Sequence, residues 1–214
     1  MTDLRRYWPA LLAEHIEMLD RLIAAYDDPG RGYHNTLHLA EVFERIEILL
    51  AADPDSGIDR DAVLLAAWFH DAVYDTGVDT SGDNEERSAV LAERELSSTH
   101  AAPPLVDEVA RLVRLTATHR PTADDGAGKV LCDADLGILA ESDARYREYV
   151  RGVRREYADL PEDGFRTGRA DILRKLLDAP SVFHTSFAKQ HWEQRARRSV
   201  AQELTELAAP SGNR

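Results

Sequence analysis

An uninterrupted apolar run that ends in two polar residues constrains the fold more than any other stretch of this sequence. Residues 62–69 read Ala-Val-Leu-Leu-Ala-Ala-Trp-Phe, and a run of this length and composition predicts the buried end of a helix. His70 and Asp71 follow directly, where further apolar packing would be expected. Burying an imidazole and a carboxylate without partners costs several kcal/mol, so a polar group has to face them. A divalent metal ion satisfies both, because it binds imidazole nitrogen and carboxylate oxygen directly. The competing interpretation is a histidine that merely caps its helix.

The composition favours helix over the whole chain. The sequence is rich in Ala, Leu, Arg and Glu, and it has only 12 Gly and few β-branched runs, which indicates an all-α protein. A chain of 214 residues is long enough for one domain with a substantial core. We therefore expect a single helical domain over residues 1–209, followed by a short disordered tail at 210–214.

Apolar residues at helical spacing predict where the helices lie. Asp27-Asp28-Pro29-Gly30 ends the first of them, and Asp59 or Asp61 caps the helix that carries the His-Asp pair. A Gly, Thr, Ser and Asp-rich loop follows from Asp75 to Asp83. The predicted helices span about 4–26, 33–52, 59–71, 83–96, 103–118, 143–157, 165–177 and 187–207. Residues 129–140 form a second apolar run that contains carboxylates.

Charge and cysteine content limit the classes of partner. A formal net charge of −13 argues against a nucleic-acid polymer or an anionic membrane as partner. Cys132 is the single cysteine, so no internal disulfide forms and a reducing compartment fits. No apolar stretch approaches the roughly 20 residues that span a bilayer, and the start does not resemble a signal peptide. We expect a cytoplasmic protein whose partner is a small molecule, and a homodimer is compatible with the sequence.

Three separated stretches offer metal ligands from apolar surroundings: His34 with His38, His70 with Asp71, and Asp133 with Asp135. The two histidines of the first stretch are four residues apart and share one helix face. The two aspartates of the third are two residues apart and diverge on a helix, so only one of them is expected to point inward. The sequence leaves open which one.

The order His38, His70-Asp71 and Asp135 resembles the H…HD…D signature of the HD superfamily of metal-dependent phosphohydrolases. The resemblance implies an HD-type helical bundle with its metal-site core at about 30–140 and a C-terminal helical extension. It also implies that these four residues ligate one divalent ion. Two imidazoles and two carboxylates suit Mn²⁺, Fe²⁺, Co²⁺, Ni²⁺ or Zn²⁺ better than Mg²⁺.

Over nearly its whole length the chain is also similar to a bacterial subgroup of predicted HD-superfamily phosphohydrolases. The stretches that carry this similarity are Tyr33-His34-Asn35, Asn84-Glu85-Glu86-Arg87-Ser88-Ala89, Asp133-Ala134-Asp135-Leu136 and Arg169. The resemblance implies hydrolysis of a phosphate ester of a nucleotide or another small phosphorylated metabolite by a metal-activated water.

One position departs from the family pattern. In HD enzymes that hydrolyse ppGpp, the His-Asp pair begins an HDxxED motif whose acids help activate water, whereas this chain has Tyr74 and Asp75 there. Glu85 or Glu86, across the polar loop, could replace the missing acid. We therefore predict Asp75, Glu85 and Glu86 as the candidate proton acceptors.

A phosphate ester also needs cationic groups to hold it. His119 ends a helix just before the loop at 122–128, and a second metal drawing on His100 and His119 is left open. His184 and His191 lie outside the motif and are interpreted as structural or exposed. The predicted substrate-binding residues are His34, Arg114, His119, Arg120 and Arg169.

Two other classes of function compete with the hydrolase. The chain could be a catalytically inactive metal-binding HD domain that serves as a ligand-sensing or assembly module, which the tyrosine at position 74 favours. It could also be a purely structural helical protein, which requires the four predicted ligands to converge by accident.

Overall fold

The computed structural model describes residues 3–77 and 83–209, and all the regular elements in these ranges are helices. The expected tail at 210–214 and part of the polar loop lie outside these residues. None of the helices in the described ranges combines the length and the apolar character needed to cross a bilayer. The α-helices are α1 (Ile16–Tyr26), α2 (Thr36–Ala52), α3 (Arg60–Phe69), α4 (Asn84–Ser97), α5 (Pro103–Leu115), α6 (Gly126–Leu136), α7 (Asp143–Glu156), α8 (Glu162–Asp178), α9 (Ser186–His191) and α10 (Glu193–Ala208).

Helix α3 forms the centre of the core. It begins at Arg60, directly after Asp59. The side chain of Asp59 accepts hydrogen bonds from the N–H groups of Asp61 (3.0 Å) and Ala62 (3.2 Å), so Asp59 is the cap. Each residue from 62 to 69 is at most 1% exposed, because α2, α4, α5 and α6 all pack against this helix. His70, at its C-terminal end, is therefore fixed by the core itself.

Two further helices bring polar side chains to the end of α3. Asn35 caps α2 by accepting hydrogen bonds from the N–H groups of Leu37 (3.0 Å) and His38 (3.3 Å). This cap places His38 in the first turn of α2. Helix α6 packs on both α2 and α3, and Asp135 lies in its last turn. The first turn of α2 and the last turns of α3 and α6 thus meet.

The C-terminal helices pack onto this core. A 3₁₀ segment, Gly137–Ala140, continues directly from α6, and both α7 and α10 pack against it. Helix α8 packs on α10 in turn. The expected C-terminal extension therefore packs against the segment that follows Asp135. Glu156, at the end of α7, contacts the turn before α2.

Two predicted helices are wrong in their extent. The stretch 4–26 is two 3₁₀ segments, Leu4–Tyr7 and Ala10–Leu12, followed by α1. Pro9 lies between those segments, and proline has no N–H to donate and restricts the backbone before it. The stretch 187–207 is divided at Trp192 into α9 and α10.

Candidate metal centre

Three side chains from the ends of α2 and α3 converge on one point. The Nε2 atoms of His38 and His70 lie 3.1 Å apart, and both residues are buried. Asp71 Oδ2 lies 3.1 Å from His70 Nε2 and 3.5 Å from His38 Nε2. One ligand atom from each residue lies within 4.8 Å of the others. The group formed by His38, His70 and Asp71 could therefore hold a metal ion.

Asp135 approaches the same point from α6. Its Oδ1 lies 3.3 Å from His38 Nε2 and 3.8 Å from His70 Nε2. Asp133, the alternative, points away from this cluster, and its carboxylate accepts hydrogen bonds from the N–H groups of His184 (2.8 Å) and Thr185 (2.7 Å). The structure thus brings Asp135, and not Asp133, to the two imidazoles.

The outer nitrogens of the two imidazoles have different surroundings. His70 Nδ1 lies 2.7 Å from the carbonyl oxygen of Ala67. A carbonyl only accepts, so Nδ1 carries a proton and Nε2 is the ring nitrogen that faces the cluster. His38 Nδ1 is buried and has no hydrogen-bond partner within the described residues. Its ring is held instead by packing on Tyr33, with the ring centroids 4.7 Å apart.

The histidines and aspartates of the cluster shift one another's pKa values. Burial alone would lower the pKa of His70, but the adjacent Asp71, with help from Asp135, outweighs burial and raises that pKa to about 9. The pKa of His38 is raised as well, because hydrogen bonds to Asp135 and Asp71 overcome the effect of burial. Burial would raise the pKa values of Asp71 and Asp135, yet the histidines hold both well below the usual range. The two carboxylates therefore favour positive charge at this point.

Arg31 fixes the backbone that carries the His-Asp pair. Its guanidinium donates to the carbonyl oxygens of Asp71 (2.7 Å), Ala72 (3.1 Å) and His34 (3.0 Å). The N–H of Asp71 donates in turn to the hydroxyl of Tyr26 (3.2 Å). These bonds hold the turn after α3 against the turn before α2.

His34 lies beside the cluster, with its ring centroid 5.6 Å from that of His38. Glu156, from the end of α7, receives the His34 N–H at 2.9 Å and lies 2.8 Å from His34 Nδ1. Tyr74 stacks on the His34 ring at 4.2 Å and donates its hydroxyl to Glu156 (3.3 Å). Since Glu156 fixes Nδ1 as the donor, the other ring nitrogen, Nε2, is left for a ligand.

His119 contacts the cluster through Asp135. Its Nε2 lies 2.8 Å from Asp135 Oδ2, and its backbone has a positive φ of 51°. The carbonyl oxygen of His119 accepts a hydrogen bond of 3.0 Å from His184 Nε2. The structure thus places His119 against a predicted metal ligand, and it gives His184 a contact that the sequence did not indicate.

Two of the arginines predicted to bind substrate have carboxylate partners instead. Arg169 is buried and bonds Glu203 at 2.8 and 3.1 Å, so its charge is already neutralised within the C-terminal helices. Arg114 bonds Glu86 twice at 2.7 Å and Glu93 once at 2.7 Å. The same contacts occupy Glu86, a predicted proton acceptor. The structure does not bring these three predicted site residues to the cluster.

The remaining predicted residues are Asp75, Glu85 and Arg120. Asp75 is about half exposed, and its side chain accepts the N–H of Gly77 at 2.9 Å. Glu85 lies in the first turn of α4. Arg120 is exposed and lines a cleft of about 310 Å³. The structure therefore places these three residues outside the group of four clustered side chains.

A second cleft opens beside the turn after α3. It has a volume of about 470 Å³ and is lined in part by Arg31, Tyr74, Asp75 and Glu156. Tyr74 and Glu156 are the two residues that hold the His34 ring. The residues that hold the His34 ring therefore also form part of the wall of this cleft.

Comparisons of the chain with protein-family models, with curated proteins and with solved structures gave no match. Its function has to be inferred from the arrangement of these side chains.

Proposed function

We propose that this chain is a metal-dependent phosphohydrolase that acts on a phosphate ester of a nucleotide or another small phosphorylated metabolite. His38, His70, Asp71 and Asp135 would hold one divalent ion. One observation carries the proposal: two buried imidazoles face each other at 3.1 Å between Nε2 atoms, with a carboxylate oxygen on either side.

The donor set fits a transition-metal ion. Two neutral imidazoles with lone pairs directed at one point repel each other, so a proton or a cation has to lie between them. Two nitrogens and two carboxylate oxygens suit Mn²⁺, Fe²⁺, Co²⁺, Ni²⁺ or Zn²⁺. His70 donates its outer nitrogen to a carbonyl, as metal-binding histidines usually do.

When bound, a divalent ion supplies Lewis acidity toward water and toward a phosphoryl oxygen. His34 is the group in this chain best placed to move the proton, because Glu156 holds its Nδ1 at 2.8 Å and leaves Nε2 as the ring nitrogen that can accept a proton. His34 Nε2 accepts a proton from the attacking water or returns it to the leaving oxygen. Tyr74, which replaces an acid of the family motif, stacks on His34 and keeps that ring in place.

The organic part of the substrate would lie in the cleft of about 470 Å³ beside Tyr74 and Glu156, a volume within the range of small-molecule sites. Arg120 is an exposed cation that a phosphate could contact. Asp75 and Glu85 remain secondary candidates for the proton acceptor.

Metal content and turnover test the proposal together. Protein purified without a metal-affinity tag is expected to contain close to one transition-metal ion per chain by elemental analysis. With added Mn²⁺ it should hydrolyse at least one substrate among phosphomonoesters, nucleotides and cyclic dinucleotides. His70→Ala and Asp71→Ala should lose both properties, whereas His34→Gln should keep the metal and lose turnover. Hydrolysis that persists in His70→Ala and Asp71→Ala would come from a contaminant and would contradict the proposal.

A second candidate function is a metal-binding HD domain without hydrolytic activity. The observation that favours it is the tyrosine at position 74, since a phenol hydroxyl held on Glu156 cannot act as a carboxylate. The same experiment separates the two functions: full metal content with no turnover of any phosphate ester supports the inactive module.

A further inference from the structure

His119 occupies a backbone position that is normally given to glycine. It follows the end of α5, and its N–H bonds to the carbonyl oxygen of Leu115 at 2.9 Å, which is a common way for a helix to end in a left-handed residue. Its φ is 51°, and this conformation costs an ordinary L-residue about 1 kcal/mol or more. A residue that bears such a cost is expected to have a use for its side chain.

The side chain of His119 fixes one oxygen of Asp135. His119 Nε2 contacts Oδ2 at 2.8 Å, while Oδ1 of the same carboxylate lies 3.3 Å from His38 Nε2. Rotation of an aspartate carboxylate about its last bond is otherwise loosely restrained. The contact with His119 therefore fixes the rotation of the carboxylate, so that its other oxygen faces the two imidazoles.

His184 holds His119 in this position from the other side. Its Nε2 donates to the carbonyl oxygen of His119 at 3.0 Å. The backbone of His184 is itself anchored, because its N–H donates to Asp133 at 2.8 Å and the hydroxyl of Thr185 donates to the same carboxylate at 2.7 Å. Asp133 and Asp135 both belong to α6, so the contacts form a closed circuit that begins and ends on one helix.

We infer that His119 and His184 are positioning residues for Asp135: His119 orients the carboxylate and His184 holds His119 in its left-handed conformation. The inference rests on the proposed metal site, and it assigns to His119 a role other than substrate binding. Residues that orient metal ligands in this way typically contribute 10–100-fold to metal affinity.

Metal affinity measured apart from activity tests this role. Metal-depleted protein is titrated with Zn²⁺ in competition with a chromophoric chelator, and its stability without metal is measured by urea denaturation. His119→Gly should bind Zn²⁺ about 10–100-fold more weakly without loss of stability, because glycine adopts the left-handed conformation freely. His119→Gln should recover much of the affinity, since the glutamine amide N–H can donate a hydrogen bond to Asp135 from about the same distance as the imidazole. His184→Ala should weaken binding in the same direction, and His184→Gln less so. His191→Gln, at an exposed position outside the proposed metal site, is the matched control.

The outcomes are distinguishable. If the wild type and His191→Gln bind Zn²⁺ and His119→Gly binds it equally well, the positioning role of His119 is overturned while the metal site stands. If His119→Gly weakens binding and His184→Ala does not, the role of His184 is overturned. If the wild type binds no Zn²⁺, the proposed function fails and this inference fails with it.

Discussion

Buried charges outside the cluster are also paired, as Arg169 illustrates. This residue on α8 lies against Glu203 on α10, and the hydroxyl of Tyr146 donates to the same carboxylate at 2.6 Å. The Arg169 guanidinium also lies over the Tyr149 ring at 4.9 Å. These contacts make Arg169 a structural residue that joins three helices, which explains its presence without a substrate.

We expect Arg169→Ala to destabilise the fold by about 3–5 kcal/mol, because it leaves the Glu203 carboxylate buried without its counter-charge. Arg174→Ala on the same helix is the control: Arg174 pairs with Asp171 in solvent, with both side chains 59% exposed, and its loss should change stability by no more than about 0.5 kcal/mol. Urea denaturation of the two variants measures the difference. Equal midpoints would show that the buried pair does not stabilise the fold.

The sequence could predict the types of residue in the cluster but not all of their partners. His38, His70 and Asp71 are recognisable because a polar residue inside an apolar run needs an explanation that local spacing can supply. Glu156 lies 122 residues from His34 on an ordinary amphipathic helix, so no local signal marks it. No local signal marks His184 either. Arg31 could have been predicted to lie near the site, because it comes just before Tyr33-His34-Asn35.

At the level of elements, the turn before α2 and helix α7 approach each other through two glycines. A Cβ built on Gly152 would lie 2.7 Å from the carbonyl oxygen of Gly32, and one built on Gly32 would lie 2.1 Å from the carbonyl oxygen of Gly152. This close approach allows Glu156, one turn further along α7, to reach His34. The glycine pair therefore serves the site by its lack of side chains.

Gly152→Ala should destabilise the fold by about 1–3 kcal/mol through overpacking and should reduce turnover, because α7 and Glu156 have to move away from His34. Gly168→Ala in α8, where a Cβ would meet nothing within 4 Å, should instead stabilise the helix by about 0.5–1 kcal/mol. Thermal denaturation and turnover of both variants provide the comparison. An unchanged Gly152→Ala variant would mean that the close approach is not required.

Helix positions were largely predictable because each amphipathic stretch carries its own period and its own caps. The prediction that residues 4–26 form one helix gave too little weight to Pro9, a breaking signal that was present in the sequence. The division at Trp192 has no such signal. Val182 and Phe183 donate their backbone N–H groups to Glu193, at 3.0 Å for Val182 and 3.1 Å for Phe183, and a tertiary contact of this kind cannot be read from helical periodicity.

At the scale of the whole molecule, the cluster cannot unfold separately from the hydrophobic core, because the His-Asp pair follows directly on the most buried helix. A ligand that binds only the folded state adds RT ln(1 + [L]/Kd) to stability, or about 2.7 kcal/mol at 100 times Kd. Metal binding should therefore be visible in the unfolding of the entire chain.

We expect one cooperative thermal transition, raised by about 5–10 °C when metal-depleted protein receives Zn²⁺ or Mn²⁺ at about 100 times its Kd. Excess chelator should reverse the shift, and His70→Ala should show none. Differential scanning calorimetry measures all three. Two separate transitions would contradict a single domain, and an equal shift in His70→Ala would place the ion elsewhere.

The burial of α3 among its neighbouring helices also limits how a ligand could reach the cluster. A helix packed on every side cannot move outward without opening the hydrophobic core. The core therefore holds the His-Asp pair at the end of α3 in place. For the proposed hydrolase, entry and release of ligands would then depend on the segments before α2 and after α5, which carry His34 and His119.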